Sequence, residues 1–326
     1  MSELRYNPLL NTWVIHSAAR QNRPNLPKDS CPFCPGSGQV PDEYEVLVYN
    51  NDYPVLSENP EVAADYIHPL YKSKEAYGKA EVILYSSNHN ATFGSLSKEH
   101  IARIVQVWKD RNDALSADPK IEYVFPFENR GEEVGVTMHH PHGQLYAYSW
   151  VPPKVAEELS NCIEYYHTEG YNLFDVITKV EREDGRRLLY ENEHFIAYLP
   201  YFTDYPFGVF IVAKDSTVNL SEFTPEHITN LADILKVITA AFDKIYDKPF
   251  PYMMVTHQSP VNKGGYEFAN EFYRFHIEFY PPLRDKDKIK WYASSEMGAW
   301  VATNPNSLEQ CAEVLRTKIA EVISNG

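Results

Sequence analysis

The chain has 326 residues, a length that suggests about two domains of ordinary size. With 44% hydrophobic and 23% charged residues, its composition is that of a soluble globular protein. Its 30 Lys and Arg against 45 Asp and Glu give a net charge of −15. This charge argues against a nucleic-acid backbone as partner, because neutralising phosphates needs clustered positive side chains. A single nucleotide is not excluded, since a few local donors can hold it.

The sequence contains no segment typical of export or membrane insertion. Residues 1–8 include no apolar run that could serve as a signal peptide, and no stretch approaches the ~20 apolar residues of a membrane span. The cysteines are too few and too unevenly spaced for a disulfide scaffold: Cys31, Cys34, Cys162 and Cys311. We therefore expect a cytoplasmic protein in a reducing compartment.

The first half predicts a turn-rich arm followed by a unit of strands and one helix. Residues 1–79 are rich in Pro, Asn and Asp and show no sustained period, as in short strands joined by turns. Short apolar runs predict strands at 80–85, 121–127 and 143–151. Ser97 can cap a helix whose apolar residues recur at helical spacing, namely Ile101, Ile104, Val105, Trp108 and Leu115.

The second half repeats this order. Strands are predicted at 195–199, 207–213, 252–256 and 273–280. The run Thr224-Pro225-Glu226 is a strong helix start, and the buried face of that helix is predicted to be Ile228, Leu231, Leu235, Ile238 and Phe242. The repetition indicates duplication of one α+β unit. We place the boundary in the charged stretch 179–187, which gives units 1–180 and 181–326.

The most specific segment is His140-Pro141-His142-Gly143-Gln144, directly before a predicted strand. Residues two apart in extended backbone point to the same side, so both histidines and Gln144 can address one site. Imidazole is a good nucleophile toward phosphorus at neutral pH, and a phosphorylated imidazole is a good leaving group. An amide donor such as Gln144 can stabilise charge on a phosphoryl oxygen. A lone histidine would more often be structural, but this combination favours catalysis.

Cys31-Pro32-Phe33-Cys34 offers two thiolates from one turn. Zinc needs two further N or S ligands, and His89 and His140 are candidates because the chain has no second cysteine pair. The alternatives are buried thiols without a ligand or a redox pair, although a redox pair is usually followed by a helix. We favour a closed, structural zinc site.

Two further sets of polar residues give weaker signals. Alternation puts His276 and Glu278 on one face of a strand, where His257 can join them. A metal site explains this face about as well as an ion-paired strand does. Arg20 and Arg23 can hold phosphates, and the run 50–52 (Asn-Asn-Asp) can bind ribose hydroxyls, although such residues are common on surfaces.

The run Phe127-Glu128-Asn129-Arg130-Gly131, Gly135 and the segment His140-Pro141-His142-Gly143-Gln144 closely resemble the galactose-1-phosphate uridylyltransferase family, a branch of the histidine-triad superfamily. The likeness runs from Tyr6-Asn7-Pro8 to Tyr280-Pro281-Pro282-Leu283 and, more weakly, to the C-terminus. It implies two histidine-triad-like units, with antiparallel sheets and helices packed on one side.

The resemblance also implies a reaction and a set of roles. His142 would take UMP from UDP-glucose covalently and pass it to galactose 1-phosphate, in galactose metabolism, while Gln144 holds the phosphoryl group. The implied roles of the other residues are zinc ligands (Cys31, Cys34, His89 and His140), nucleotide contacts (Arg20, Arg23, Asn51 and Asp52), a phosphate neighbour (Asn129), ligands of a possible second metal, iron or zinc (Glu158, His257, His276 and Glu278), and sugar contacts (Lys290 and Glu296). The sugar-binding segment of the family reaches into the partner subunit, so a homodimer is implied.

Two departures from the family pattern bear on these roles. Glu278 stands where some members have His, which leaves the second metal open, and Ser295 stands where some members have Tyr, which leaves the sugar open. The nearest alternative function is a nucleotide-sugar or dinucleotide phosphorylase, an adenylyltransferase that uses the same His142. A non-catalytic zinc-bound scaffold would leave the segment 142–144 unexplained.

Overall fold

The computed structural model describes residues 2–22, 31–61 and 68–325. The strands are β1 (Ser2–Asn7), β2 (Thr12–Ser17), β3 (Leu47–Asn50), β4 (Ser73–Glu75), β5 (Gly78–Leu84), β6 (Tyr123–Arg130), β7 (His142–Tyr148), β8 (Leu188–Glu191), β9 (Phe195–Tyr198), β10 (Phe210–Ala213), β11 (Tyr252–His257), β12 (His276–Tyr280), β13 (Leu283–Asp285) and β14 (Lys288–Ile289). The α-helices are α1 (Lys98–Ser116), α2 (Pro153–Glu169), α3 (Leu173–Asp184), α4 (Pro225–Ile245), α5 (Ala269–Phe272), α6 (Ser294–Gly298) and α7 (Leu308–Asn325).

A single antiparallel sheet of nine strands joins the two halves of the chain. Its order is β3-β5-β7-β6-β11-β12-β10-β9-β8. The order β3-β5-β7-β6 from one edge matches β9-β10-β12-β11, which begins one strand in from the other edge, β8; β6 pairs with β11 where the halves meet. Helix α1 follows β5 as α4 follows β10. The predicted α+β fold, with a repeated antiparallel unit, is confirmed.

The helix starts follow from local sequence. The Ser97 side chain accepts a hydrogen bond from the His100 backbone N–H and so caps α1. Thr224 forms a capping box with His227 at the start of α4, and Pro225 occupies the first turn, where its missing N–H has no cost. Both predicted helix starts are confirmed.

Helices cover the sheet in two layers. Helices α1, α4 and α7 pack on one face over a core that includes Trp108, Leu235 and Phe279. Helices α2 and α3 cover the opposite face of the second half, where Ile196 and Tyr198 point. Helix α3 covers part of the charged stretch 179–187 in which we placed the boundary between the two units. The division at 180 stays a prediction.

Three strands are shorter than predicted by two residues or more, and the segments next to them explain why. Strand β12 begins at His276 because the preceding residues form α5, which ends where the Tyr273 N–H donates to the Ala269 carbonyl at 2.7 Å. Strand β10 begins at Phe210 because Gly208 closes a turn onto the Tyr205 carbonyl. Strand β7 ends at Tyr148, shortly before α2 begins with Pro153.

The N-terminal arm forms a separate sheet in the order β2-β1-β4. Its inner residues, Leu4, Val55, Leu56 and Ala76, pack with the side chain of Trp150. This arm packs against β7 of the nine-stranded sheet through Tyr146 and Tyr148, and its short strands and turns agree with the prediction. Among the helices that the structure describes, none has the length and apolar character that crossing a bilayer requires.

Candidate active site

His142 is the first residue of β7, and its side chain is half-buried. The ring donates from Nδ1 to the His140 carbonyl at 2.7 Å, since a carbonyl oxygen can only accept. A neutral imidazole with its proton on Nδ1 carries the lone pair on Nε2. The backbone of the His-Pro-His run therefore fixes the tautomer that a nucleophile at Nε2 requires.

Gly143 is required by a close approach of the chain next to His142. A Cβ at this position would lie 2.0 Å from the Tyr85 Oη and 3.1 Å from the Phe127 carbonyl oxygen. The glycine lets β7 pack between β5 and β6 at the point where the catalytic candidate begins the strand. The absence of a side chain at Gly143 thus helps to set the position of the His142 ring.

Two cavities of about 210 Å³ each share His142 in their walls. One is lined by the predicted nucleotide contacts Arg20, Asn51 and Asp52 and by the predicted catalytic residue Gln144, together with Phe33, Gln39, Tyr49, Tyr53, Val82 and Met138. The other contains the predicted phosphate neighbour Asn129. Arg23 lies outside the described residues. The geometry thus brings five predicted substrate-side residues around one imidazole.

Hydrogen bonds hold several of these side chains in place. The Tyr146 hydroxyl donates to the Gln144 Oε1 at 3.3 Å, which leaves the Gln144 amide nitrogen as the donor group. The Tyr49 hydroxyl donates to the Asp52 carboxylate at 3.1 Å, and the Asn51 Oδ1 accepts from the Tyr53 backbone N–H at 2.9 Å. These contacts reduce the side-chain freedom that a bound nucleotide would have to restrict.

Cys31, Cys34, His89 and His140 form a compact cluster, with one ligand atom from each lying within 4.8 Å of the others. The His140 Nδ1 lies 3.6 Å from the Cys31 Sγ and 3.7 Å from the Cys34 Sγ, and the His89 Nδ1 lies 3.4 Å from the Cys34 Sγ. A tetrahedral zinc ion with ordinary bond lengths places such ligand atoms about 3.5 Å apart. These four residues therefore fit a metal ion of this kind.

The surroundings of His140 support the same reading. Its Nε2 donates to the Ser86 carbonyl at 2.8 Å, which leaves the lone pair on Nδ1, the nitrogen that faces the cysteines. Burial lowers the pKa of His140 to about 4, so the ring is neutral at pH 7. A hydrogen bond from the outer nitrogen to a carbonyl is typical of a metal-ligating histidine.

A second cluster contains Glu158, His257, His276 and Glu278, also within 4.8 Å. The His257 Nδ1 lies 2.7 Å from the Glu158 Oε2, and the His276 Nε2 lies 3.4 Å from the Glu278 Oε1. The Lys154 ammonium lies 2.5 Å from the Glu278 Oε2 and 3.6 Å from the Glu158 Oε1. The donor set fits a metal ion, but an ion at that Glu278 oxygen would have to displace Lys154.

Charges in this second cluster explain the ionisation of Glu278. Burial alone would raise the pKa of this carboxyl, but His257, His276 and Lys154 together hold it far below its ordinary value. Lys154 was not among the residues that the sequence singled out. Its position one residue after the start of α2 gave no signal, since the helix itself was not predicted.

His276 is the counterpart of His142 in the second half. It begins β12 as His142 begins β7, and its Nδ1 donates to the Arg274 carbonyl at 3.0 Å. Glu278 takes the position that Gln144 has in the first half. His276 is 1% exposed and faces the second cluster, whereas His142 faces two cavities. The His276 ring is nonetheless one wall of a cavity of about 750 Å³ that Glu158 and Glu278 also line, so both repeated histidines border a cavity.

The predicted sugar contacts lie elsewhere in the described part of one protomer, outside both cavities at His142. The Lys290 ammonium lies over the rings of Tyr205 and Tyr292, at 4.8 and 4.3 Å from their centroids. The Glu296 Oε2 accepts from the Ala293 backbone N–H at 3.1 Å. The structure of a single chain thus does not place these two residues around His142.

Two family models match the chain: galactose-1-phosphate uridyl transferase, N-terminal domain, over residues 1–152, and the C-terminal domain over residues 158–322. The chain belongs to the galactose-1-phosphate uridylyltransferase family. It is an enzyme, a transferase, and the reaction of the family is uridylyl transfer.

Individual relatives agree with this family. The galactose-1-phosphate uridylyltransferase of Thermotoga maritima is 39% identical over 99% of this chain and 100% of its own length. A solved structure of a uridylyltransferase has a TM-score of 0.88 at 29% identity and covers 98% of this chain and 99% of its own. An ADP-glucose phosphorylase from Arabidopsis thaliana, solved with bound ADP-glucose, has a TM-score of 0.74 at 25% identity, covering 97% and 99%.

Sequence reasoning missed several residues of the site of this family member. Phe33, whose ring centroid lies 6.3 Å from that of His142, stands between the two cysteines of the zinc candidate. Tyr49 directly precedes the Asn-Asn-Asp run and lines the same cavity. The sequence could have indicated both residues, because each lies within or directly beside a motif that we had selected for other reasons.

Proposed function

We propose that the enzyme moves UMP from UDP-glucose to galactose 1-phosphate, in galactose metabolism, through a uridylyl group held covalently on His142. The 2.7 Å hydrogen bond from the His142 Nδ1 to the His140 carbonyl carries this proposal. It sets the lone pair on Nε2, at a ring that borders both cavities. A nucleophile that borders two cavities suits a reaction in which one phosphorus atom first leaves the donor and is then attacked by the acceptor.

In the first half-reaction, the His142 Nε2 attacks the α-phosphorus of UDP-glucose. The N–P bond forms as the bond from this phosphorus to the bridging oxygen breaks, and glucose 1-phosphate leaves with that electron pair. The proton stays on Nδ1, where the His140 carbonyl stabilises the positive charge that the ring gains. The Gln144 amide donates to a non-bridging oxygen as charge develops there.

In the second half-reaction, a phosphate oxygen of galactose 1-phosphate attacks the same phosphorus. The N–P bond breaks, Nε2 recovers its electron pair, and UDP-galactose forms. The cavity with Arg20, Asn51 and Asp52 would hold the nucleotide, with Asp52 suited to ribose hydroxyls and Arg23 a further candidate from the sequence. Asn129, in the other cavity, would lie beside the phosphates.

The metal at Cys31, Cys34, His89 and His140 would be zinc in a structural role. Four protein ligands close the tetrahedron, so no position is left for a substrate. Because His140 supplies the carbonyl that holds His142, the ion would support the nucleophile through the backbone. A second metal, iron or zinc, at the Glu158–Glu278 cluster stays a prediction.

A homodimer would complete the site, with Lys290 and Glu296 of one protomer contacting the sugar in the other. Large apolar side chains near this segment are exposed in one protomer, namely Trp291 (66%), Met297 (66%) and Trp300 (72%). Exposure of this kind suits a protein interface. None of the four cysteines, all of which lie among the described residues, forms a disulfide, which suits a reducing cytoplasm.

A phosphorylase that transfers a nucleotidyl group to phosphate is the second candidate. The observation in its favour is the structural similarity to the ADP-glucose phosphorylase, which keeps a TM-score of 0.74 over nearly the whole chain. It would use the same His142 chemistry with a different base and acceptor. The two candidates therefore differ in substrates, not in the nucleophile.

An exchange assay tests the proposal. Labelled glucose 1-phosphate should enter UDP-glucose in the absence of galactose 1-phosphate, because the first half-reaction is reversible by itself. His142→Asn should abolish this exchange, while His167→Asn, at an exposed histidine of α2, should leave it unchanged. ADP-glucose with inorganic phosphate, run beside UDP-glucose with galactose 1-phosphate, separates the phosphorylase from the uridylyltransferase. Exchange that persists in His142→Asn would end the proposal.

A further inference from the structure

A third group of metal-ligating side chains lies outside the active site and outside both clusters described above. His194 directly precedes β9, Asp215 follows β10, and His227 is in the first turn of α4. One ligand atom from each of the three lies within 4.8 Å of the others, and the Asp215 Oδ2 lies close to both the His194 Nδ1 and the His227 Nε2. Three separate elements of the second half thus bring two imidazoles and one carboxylate close together.

The distances suit a metal ion after a small adjustment. The His194 Nδ1 lies 3.4 Å from the Asp215 Oδ2, which is about the separation of N and O ligands on a tetrahedral zinc ion. The His227 Nε2 lies 2.7 Å from the same oxygen, a hydrogen-bond distance that must open by less than about 1 Å to admit an ion. The two rings already lie close together, with centroids 4.1 Å apart.

Outer hydrogen bonds hold these side chains as they hold metal ligands elsewhere. The Thr217 backbone N–H donates to the Asp215 Oδ1 at 3.0 Å, which directs Oδ2 toward the histidines. The Thr224 Oγ1 lies 2.9 Å from the His227 Nδ1 and can accept its proton when Nε2 faces a metal. The Thr224 backbone N–H, which donates to the same Nδ1 at 3.3 Å in the capping box, gives up that hydrogen bond in the metal-bound form. Such outer contacts orient ligands and raise their basicity.

The helix cap alone does not require this arrangement. Helix α1 begins with the same elements, Ser97 as the cap and His100 three residues later. There the His100 Nε2 contacts the Tyr85 carbonyl at 2.6 Å, and the nearest carboxylate oxygen in the structure, of Glu45, lies 3.8 Å from its Nδ1. In the described part of the first half, His100 belongs to no such group of three ligand side chains.

Access and charge also allow an ion. Side-chain exposure rises from 8% for His227 to 19% for His194 and 42% for Asp215, so the point of convergence opens toward solvent on the carboxylate side. The start of a helix disfavours a cation by its dipole. Asp215 and Glu226, which is also in the first turn of α4, supply two negative charges to oppose that effect.

We propose that His194, Asp215 and His227 bind one divalent transition-metal ion of the Zn²⁺ class, with water completing its coordination. Two imidazoles and one carboxylate are a donor set that such ions accept. The ion ties the start of α4 to the ends of β9 and β10 and takes no part in the transfer reaction. The residues lie outside the walls described for the two cavities at His142.

Equilibrium dialysis of the metal-depleted full chain against buffered Zn²⁺ tests the proposal. His194→Gln and Asp215→Asn should each bind one ion fewer per chain than the wild type. The matched control is His100→Gln, which alters the equivalent helix turn without touching the cluster and should bind the wild-type number. Added Zn²⁺ should also raise the thermal midpoint of the wild type more than that of His194→Gln.

Binding of Co²⁺ identifies which ion is lost. A site of two imidazoles and a carboxylate gives no thiolate-to-cobalt charge-transfer band, whereas the Cys31–Cys34 cluster does. The missing equivalent in His194→Gln should leave that band at full intensity. Unchanged stoichiometry in both variants, an equal loss in His100→Gln, or a loss that removes the thiolate band would each overturn the third site.

Discussion

Glu128 offers a sharp test of the electrostatics next to the active site. Its side chain points from β6 into the core, where the Tyr252 hydroxyl donates to Oε1 at 3.2 Å. The other oxygen, Oε2, is buried and has no hydrogen-bond partner among the described residues. Burial raises the pKa of Glu128 to about 8, against a smaller opposing effect of Arg130. The carboxyl is therefore mainly protonated at pH 7 in the folded protein.

The sign of the pH effect follows from that shift. When folding raises the pKa of a carboxyl, its protonated form stabilises the folded state. This stabilisation is fully present only below the pKa of the unfolded chain, and it is lost as pH rises toward the pKa of the folded protein. With 4.5 for the unfolded chain and about 8 for the folded one, Glu128 lowers the free energy of unfolding by about 2.5 kcal/mol between pH 5 and pH 7. Glu128→Gln has no proton to lose, so it should escape this loss.

Urea denaturation of the wild type and Glu128→Gln at pH 5, 6, 7 and 8 measures the effect. The variant should gain about 2.5 kcal/mol relative to the wild type from pH 5 to pH 7, and somewhat more by pH 8. A cost of the new amide group that does not depend on pH lowers the free energy of unfolding of the variant by the same amount at every pH. Glu164→Gln, at an exposed carboxyl on α2, is the control and should show a flat difference. A flat difference for Glu128→Gln as well would refute the argument.

Three further outcomes follow from packing and ligation. Gly143→Ala should destabilise the fold by roughly 1–3 kcal/mol and slow transfer, because the new Cβ would meet Tyr85 at 2.0 Å; thermal denaturation and a rate assay measure this. Cys31→Ser should lose one equivalent of metal and lower the thermal midpoint, and retention of both would exclude this ligand set. In the wild type, the Arg187 guanidinium lies 2.8 Å from the buried Glu181 carboxylate. Arg187→Met removes this partner and leaves a buried charge, so it should lower the free energy of unfolding by roughly 3–5 kcal/mol; a change under about 1 kcal/mol in urea denaturation would contradict this.

Features set by neighbouring residues could be predicted from the sequence. The caps at Ser97 and Thr224 act within one helical turn, so the local run of residues was enough to place them. The His140–His142 pair could be placed on one side of the backbone because alternation along an extended chain is a local property. The same holds for the alternating faces of β12.

Features set by distant pairing could not be predicted. The joining of β6 to β11 depends on residues more than one hundred positions apart, and nothing in either strand names its partner. Helix α2 is a different kind of miss, because its local pattern of Val155, Leu159 and Cys162 at helical spacing was present in the sequence. Only the contact of its Lys154 with Glu278 depends on distant pairing. The convergence of His194, Asp215 and His227 likewise becomes visible only when the three segments are folded together.

The central claim is that His142 carries the nucleotide as a covalent phosphorus–nitrogen adduct. Intact-mass spectrometry of the full chain, quenched in base after mixing with UDP-glucose alone, tests it most directly. The account predicts a mass increase of one uridylyl group that acid removes, that galactose 1-phosphate discharges, and that peptide mapping places on His142. Steady turnover without any such adduct, or an adduct on another residue, would contradict it.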